Sequence, residues 1–135
     1  MRSSVNPSSV SNSSESESLL QIAEWARVVS EMVQENNLLK RRLSSFINDN
    51  KSSGKILDIL EAFHSSFLIK DTHLALLIQD IRKQEMFAKA LANEKVKDLN
   101  FDFQQKRLHF EVVMMQEQFL KQKDAFEVLI SAHSK

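Results

Sequence analysis

From Ile22 to Phe46, apolar residues return at alternating steps of three and four. Ile22, Val29, Asn36 and Leu43 take one set of positions, and Trp25, Met32, Leu39 and Phe46 take the other. This spacing draws one continuous stripe along an α-helix, and it is the repeat that a left-handed pairing of helices requires. Asn36 interrupts the stripe. Two asparagines meeting in one layer can hydrogen-bond to each other, whereas any other register leaves each against an apolar neighbour. Such a residue costs stability and selects register and oligomer state. Glu35 and Lys40 flank the seam at the spacing of an interchain ion pair, which contributes about 0.3–0.5 kcal/mol when exposed. The segment therefore predicts self-pairing, a homodimer interface formed by the eight stripe residues. Ala26, Val28, Val33 and Ile47 widen the apolar face. They support the alternative of an amphipathic helix packed inside a bundle, with Asn36 at the edge of its stripe.

The rest of the chain extends the helical reading. Glycine occurs once, at Gly54, and proline once, at Pro7. Sheets joined by tight turns need more of both. Leu, Lys, Glu, Gln, Met and Ala, all helix formers, fill nearly half of the chain. The expected fold class is all-α: an elongated coiled coil or helical hairpin, and oligomeric.

Five segments are expected. Residues 1–16 are serine-rich and bury too little apolar surface to offset ordering, so they predict a disordered tail. Ser14 and Glu17 have capping-box spacing for a helix over 17–47. The acidic residue three positions on also makes Ser14 a candidate phosphorylation site, placed near a helix N-terminus where negative charge is favoured. Asn, Asp, Ser and Gly over 48–54 predict a turn. A short amphipathic helix is expected over 55–70, carrying Ile56, Ile59, Leu60, Phe63 and Phe67 on one face. Asp71 or Thr72 could cap the next helix, and 72–131 could then form one long helix, about 90 Å at 1.5 Å per residue. Within it Leu74, Leu77, Ile78 and Ile81 begin an apolar face that resumes at Val96, Leu99 and Phe103. A second series follows through Leu108, Val112, Met115, Phe119, Phe126 and Leu129, interrupted by Gln122. The change of phase near Phe101–Leu108 suggests a stutter or a bend. The second series is a candidate partner-binding face, or a core against residues 17–70 or a second copy. Glu85–Lys89, Asp102–Lys106 and Glu117–Lys121 have the favourable orientation for ion pairs on a solvated face.

Chemistry-bearing motifs are few. There is no cysteine, which excludes disulfides and thiolate metal sites. His64, His73, His109 and His133 do not pair at i, i+4, and Glu61-x-x-His64 occurs once where a di-iron bundle needs two copies and two further glutamates. One glycine cannot form a phosphate loop. No enzyme, cofactor, metal or small-molecule ligand is expected. With 18 basic and 18 acidic residues the net charge is zero, so nucleic acid is not an expected partner. The residues preceding the stripe are acidic and serine-rich, unlike a basic-region zipper. The longest apolar run, Leu74–Ile78, is far below the roughly 20 residues of a membrane span. No membrane association and no secretory leader are expected, and the location predicted is intracellular, cytoplasmic or nuclear.

The function expected from these features is that of a non-enzymatic structural adaptor. It would act by coiled-coil self-association and helix-mediated binding of protein partners, as homodimer or hetero-oligomer, inside a larger assembly. Subunits of cytoskeletal, centrosomal, kinetochore and meiotic assemblies share this look by composition and shape alone. One alternative is an obligate hetero-oligomeric subunit of a trafficking or transcription-regulatory complex. Another is a closed monomeric helical bundle that binds a partner peptide. A chain break near residues 93–101 would favour the bundle.

Overall fold

A computed structural model describes the backbone of residues 7–49, 54–94 and 98–133, with side chains from residue 16 onward. These residues form three α-helices: α1 (Pro7–Asp49), α2 (Gly54–Glu94) and α3 (Leu99–His133). Their 43, 41 and 35 residues give lengths of about 65, 62 and 53 Å.

Contacts between helices show the topology. Along α1 and α3 the partners rise together: Trp25 meets His109, Lys123 pairs with Glu35, and Arg42 pairs with Glu127. Against α3 the residues of α2 run backwards: Gln84 reaches Phe101, Lys70 reaches Met115, and Phe63 packs on Phe126. The chain is therefore an up-down-up bundle in which α2 is antiparallel to both neighbours. Each helix turns one stripe inward. No helix among the described residues is long and apolar enough to cross a membrane.

The α1 stripe runs as its sequence spacing predicts, with Ile22, Trp25, Val29, Met32, Leu39 and Leu43 buried and Phe46 packed at the edge. The α2 stripe is longer than expected. From Ile56 through Leu60, Phe67, Leu74 and Ile81 to Ala88, burial recurs without a change of phase. Lys70 and Gln84 occupy two of its positions and are themselves buried. The helices expected over 55–70 and from 72 onward are thus one helix, and neither Asp71 nor Thr72 is a cap. The inward phase carries straight through residues 70–72, so a break there would cost backbone hydrogen bonds and expose Leu74 and Leu77.

The break lies at the other end of α2. The single helix expected over 72–131 is interrupted between Glu94 and Leu99. Asp98 ends the interruption as an N-cap. Its Oδ1 accepts hydrogen bonds from the backbone N–H of Asn100 at 2.9 Å and of Phe101 at 3.1 Å. These are two of the donors that a helix start leaves without intrahelical partners. The fold-back also covers apolar surface that one straight helix would leave in water. Phe101 packs edge-on against Phe87 at 5.3 Å, and Gln84 donates to the Phe101 carbonyl.

The N-terminal part differs as well. α1 begins at Pro7, so the helical region starts ten residues before Glu17 and includes part of the segment expected as a tail. Proline suits a first helical position, where its missing N–H leaves nothing unpaired. Ser14 then lies within α1 and does not cap it, and its side chain lies outside the described residues. So do residues 1–6 and, in the expected turn, residues 50–53.

Candidate interaction surface

Asn36 is fully buried and is the centre of the α1–α2 contact. Its amide donates to the Phe67 carbonyl at 3.0 Å and to Asp71 Oδ1 at 2.7 Å. The other Asp71 oxygen takes Lys40. Glu35, on the opposite flank, pairs with Lys123 of α3. The two charges expected to bridge separate chains are each paired within this chain, to different helices. The polar residue of the α1 stripe therefore bonds to α2 of the same chain. The acceptors Asn36 Oδ1 and Gln122 Oε1 are buried without donors, so the middle of the bundle carries an unfavourable polar load.

A second polar layer lies nearer the α2–α3 break. Gln84 donates to Gln105 Oε1 at 2.9 Å, and Gln105 donates in turn to Gln21 Oε1 at 2.9 Å. The chain of amides joins all three helices. Lys70 sits buried on α2 with its amine 3.7 Å from Met115 Sδ. Burial pushes this amine below the ordinary lysine value. At the surface Arg42 grips Glu127 through two hydrogen bonds of 2.7 and 2.8 Å and lies 5.5 Å from the Phe126 ring centre. The hydrogen bond to Arg42 holds the Glu127 carboxyl below the usual carboxylate range.

The second apolar series is distributed between core and rim. Leu108, Val112, Phe119 and Phe126 are buried, while Met115 and Leu129 are half-buried against the core. Phe126 meets Phe63 and Phe67 edge-on at 5.5 and 5.4 Å. These residues form the inner face of α3.

Leu99 and Phe103 belong elsewhere. They are 86% and 64% exposed, and Phe110 is 63% exposed. Val113, Met114 and Leu120 are exposed as well. At 100° per residue Leu99, Phe103, Phe110, Val113 and Met114 lie on the side of α3 opposite Phe101, Leu108 and Phe119, and Leu120 lies at the edge of that side. The change of phase near Phe101–Leu108 is therefore neither a stutter nor a bend. It is a change from one face of a regular helix to the other. On α2 the exposed Leu68, Ile69, Leu76 and Met86 also fall within about 100° of one another, on the side away from its buried stripe. Among the described residues, α3 carries the longest exposed apolar row at three–four spacing. A helix apolar on opposite sides is suited to cover on both, and α1 and α2 cover one.

The expected surface ion pairs divide in the same way. Glu85–Lys89 closes at 3.7 Å on α2. Asp102–Lys106 and Glu117–Lys121, on the outer side of α3, do not close among the described residues.

A cleft of about 130 Å³ separates α1 and α3 beside this face, lined by Val28, Met32 and Glu35 and by Gln116, Phe119 and Leu120. It is smaller than the ~300–1,000 Å³ typical of small-molecule sites and takes a side chain. Among the described residues no group of three or more His, Cys, Asp or Glu is placed to hold a metal. The chain matches no protein-family model, no curated protein and no solved structure.

Asp98, Lys123 and Glu127 were not among the sequence candidates, and Asp71 was one only as a helix cap. Asp98 had a readable signal, since Asp is a preferred N-cap residue and Leu99 starts a regular run. The other three act across helices, and only the packing of the chain brings them to their partners.

Proposed function

We infer that the protein is a non-enzymatic structural adaptor: a helical bundle that presents the outer face of α3 to another protein chain by helix-on-helix, coiled-coil packing. The observation that carries this reading is the two-sided apolar character of α3. The inner side is used within the chain, and the outer side exposes Leu99, Phe103 and Phe110. Isolated exposed apolar residues need no explanation, but a contiguous stripe of large ones marks an interaction surface. The reading keeps the helix-mediated partner binding expected on the C-terminal helix and moves it from the Leu108–Leu129 series to the other side of α3.

The test is a pair of substitutions that leave the core alone. Phe103→Asp/Phe110→Asp should keep the helix content and change stability by less than about 1 kcal/mol, because both side chains are solvent-facing. Crosslinked assemblies recovered from the native cell should lose the partner chains that the wild-type protein holds. Identical assemblies from both forms would rule out this face as the adaptor surface.

A further inference from the structure

The outer face of α3 carries a charge pattern of its own. Leu99, Phe103, Lys106 and Phe110 follow one another at steps of four, three and four. Val113, Glu117, Leu120 and Asp124 continue the same alternation. All eight are exposed in the bundle. This is the repeat of a helix-pairing seam, about 38 Å long. Lys106 and Glu117 in the middle of the seam, and Asp124 at its end, have no ion-pair partner within the chain among the described residues.

An antiparallel copy of the same seam solves both charges at once. With Phe110 set across from Val113 of the second copy, Lys106 falls across from Glu117. Phe103 then falls across from Leu120, and Leu99 from Asp124 at the frayed ends. A two-fold axis repeats every one of these layers, as an isologous interface requires. Sliding one heptad one way pairs Lys106 with Asp124 but sets Glu117 against Val113 inside the seam, and sliding the other way sets Glu117 against Leu99 and Lys106 against Phe110. A parallel pair sets Lys106 against Lys106 and Glu117 against Glu117. The setting with Lys106 across from Glu117 overlaps all eight positions and puts its one mismatch, Leu99 against Asp124, at the frayed ends.

We propose that the occupant of the outer α3 face is a second copy of this chain, packed antiparallel, with Lys106 of each protomer paired to Glu117 of the other. The proposal rests on the adaptor reading of the face and names its partner. The resulting dimer would join two three-helix bundles along a central pair of α3 helices, with the α1 stripe unused in the contact.

Charge reversal tests the register on the full chain. Sedimentation equilibrium of the wild-type protein should show a monomer–dimer equilibrium. Lys106→Glu and Glu117→Lys should each weaken the dimer about tenfold or more, since each puts two like-charge contacts into the seam. The double variant K106E/E117K should recover it, because the pair is exchanged and kept. A parallel pair meets like charges before and after either reversal, so indifference to the single changes would overturn the antiparallel register. Failure of the double variant to recover would do the same. Helix content by circular dichroism should be equal in all four proteins, since Lys106 and Glu117 are exposed.

The chain has no cysteine, so Asn100→Cys offers one nitroxide position. Facing helices in this register place the two labels about 35 Å apart along the seam, against roughly 10–15 Å in a parallel pair. A wild-type protein that stays monomeric at high concentration would overturn the second copy as occupant. The adaptor reading would then stand if Phe103→Asp/Phe110→Asp still abolished association with a different chain. If that pair of substitutions abolished no association at all, both would fall.

Discussion

Two stripes of the same spacing run along this molecule and have opposite fates. The stripe on α1 contains one polar residue, Asn36, and flanking charges at Glu35 and Lys40. The stripe on the outside of α3 contains Lys106 and Glu117, with Asp124 at its end. On α1 Asn36, Glu35 and Lys40 each bond within the same chain, to α2 or α3, with Asn36 Oδ1 left without a donor. On α3 the three charges have no partner among the described residues. A three–four repeat therefore identifies a face that wants a helix against it, and says nothing about which chain supplies that helix. The polar residue in the stripe is the better guide. Its hydrogen bonds, once seen, show whether the face is already satisfied.

The largest expected effect tests the internal stripe. Asn36→Asp places a carboxylate 2.7 Å from an Asp71 oxygen, in a buried site and without the amide donors. It should lower stability by about 3 kcal/mol or more and the thermal midpoint by about 10 °C. Adding Asp71→Asn returns a donor to the pair and should recover part of the loss. In the Phe103→Asp/Phe110→Asp background, where the α3 face is disabled, the loss should be the same at low and high protein concentration. A concentration-dependent loss in that background would mean that Asn36 meets another chain after all.

Lys70 sharpens the comparison by a smaller amount, because it is a charge that an internal stripe tolerates. Lys70→Met should raise stability at neutral pH by about 1 kcal/mol, as apolar volume replaces a partly desolvated amine beside Met115. The sign with pH follows from the lowered value of this amine. The unfolded chain keeps its proton up to the ordinary lysine value of 10.5, while the folded protein releases it earlier. Stability of the wild-type protein therefore rises with pH through that alkaline window. The advantage of the methionine variant should shrink over the same window in urea titrations. A constant gap would show that Lys70 keeps its full hydration.

The smallest effect belongs to the rim. Glu127→Gln removes the two-pronged contact with Arg42 and should cost about 0.5 kcal/mol, since both groups are exposed. A carboxyl held below its usual range adds stability that is present at higher pH and lost as pH falls through its folded value. The difference between wild type and variant should therefore vanish in acid. Its persistence there would assign the effect to Phe126 packing and not to charge.

Helix class was legible throughout, because spacing and the shortage of Gly and Pro act locally. The inner residues of α1 and α3 were also legible. Ile22, Val29, Leu39 and Leu43 are buried as their spacing predicts, and so are Leu108, Val112, Phe119 and Phe126. The continuity of α2 was harder to read. Lys70 and Gln84 fall on its buried stripe, and a polar residue in such a place looks like a gap until its contacts are known. The phase change in α3 was misleading for a related reason. Two series on opposite faces, read in chain order, resemble one series that slips.

The sequence by itself determined that this chain is helical, and it determined which residues of each helix lie on an apolar face. Those properties follow from propensity and from the 3.6-residue turn, which each segment carries alone. Only the tertiary structure decided which face meets which. Asn36 could satisfy its amide with a copy of itself or with Phe67 and Asp71. The choice depends on the distance at which α2 returns beside α1 and on the break that Asp98 caps. Once three inner stripes are packed together, the outer side of α3 keeps Leu99, Phe103 and Phe110 in the open.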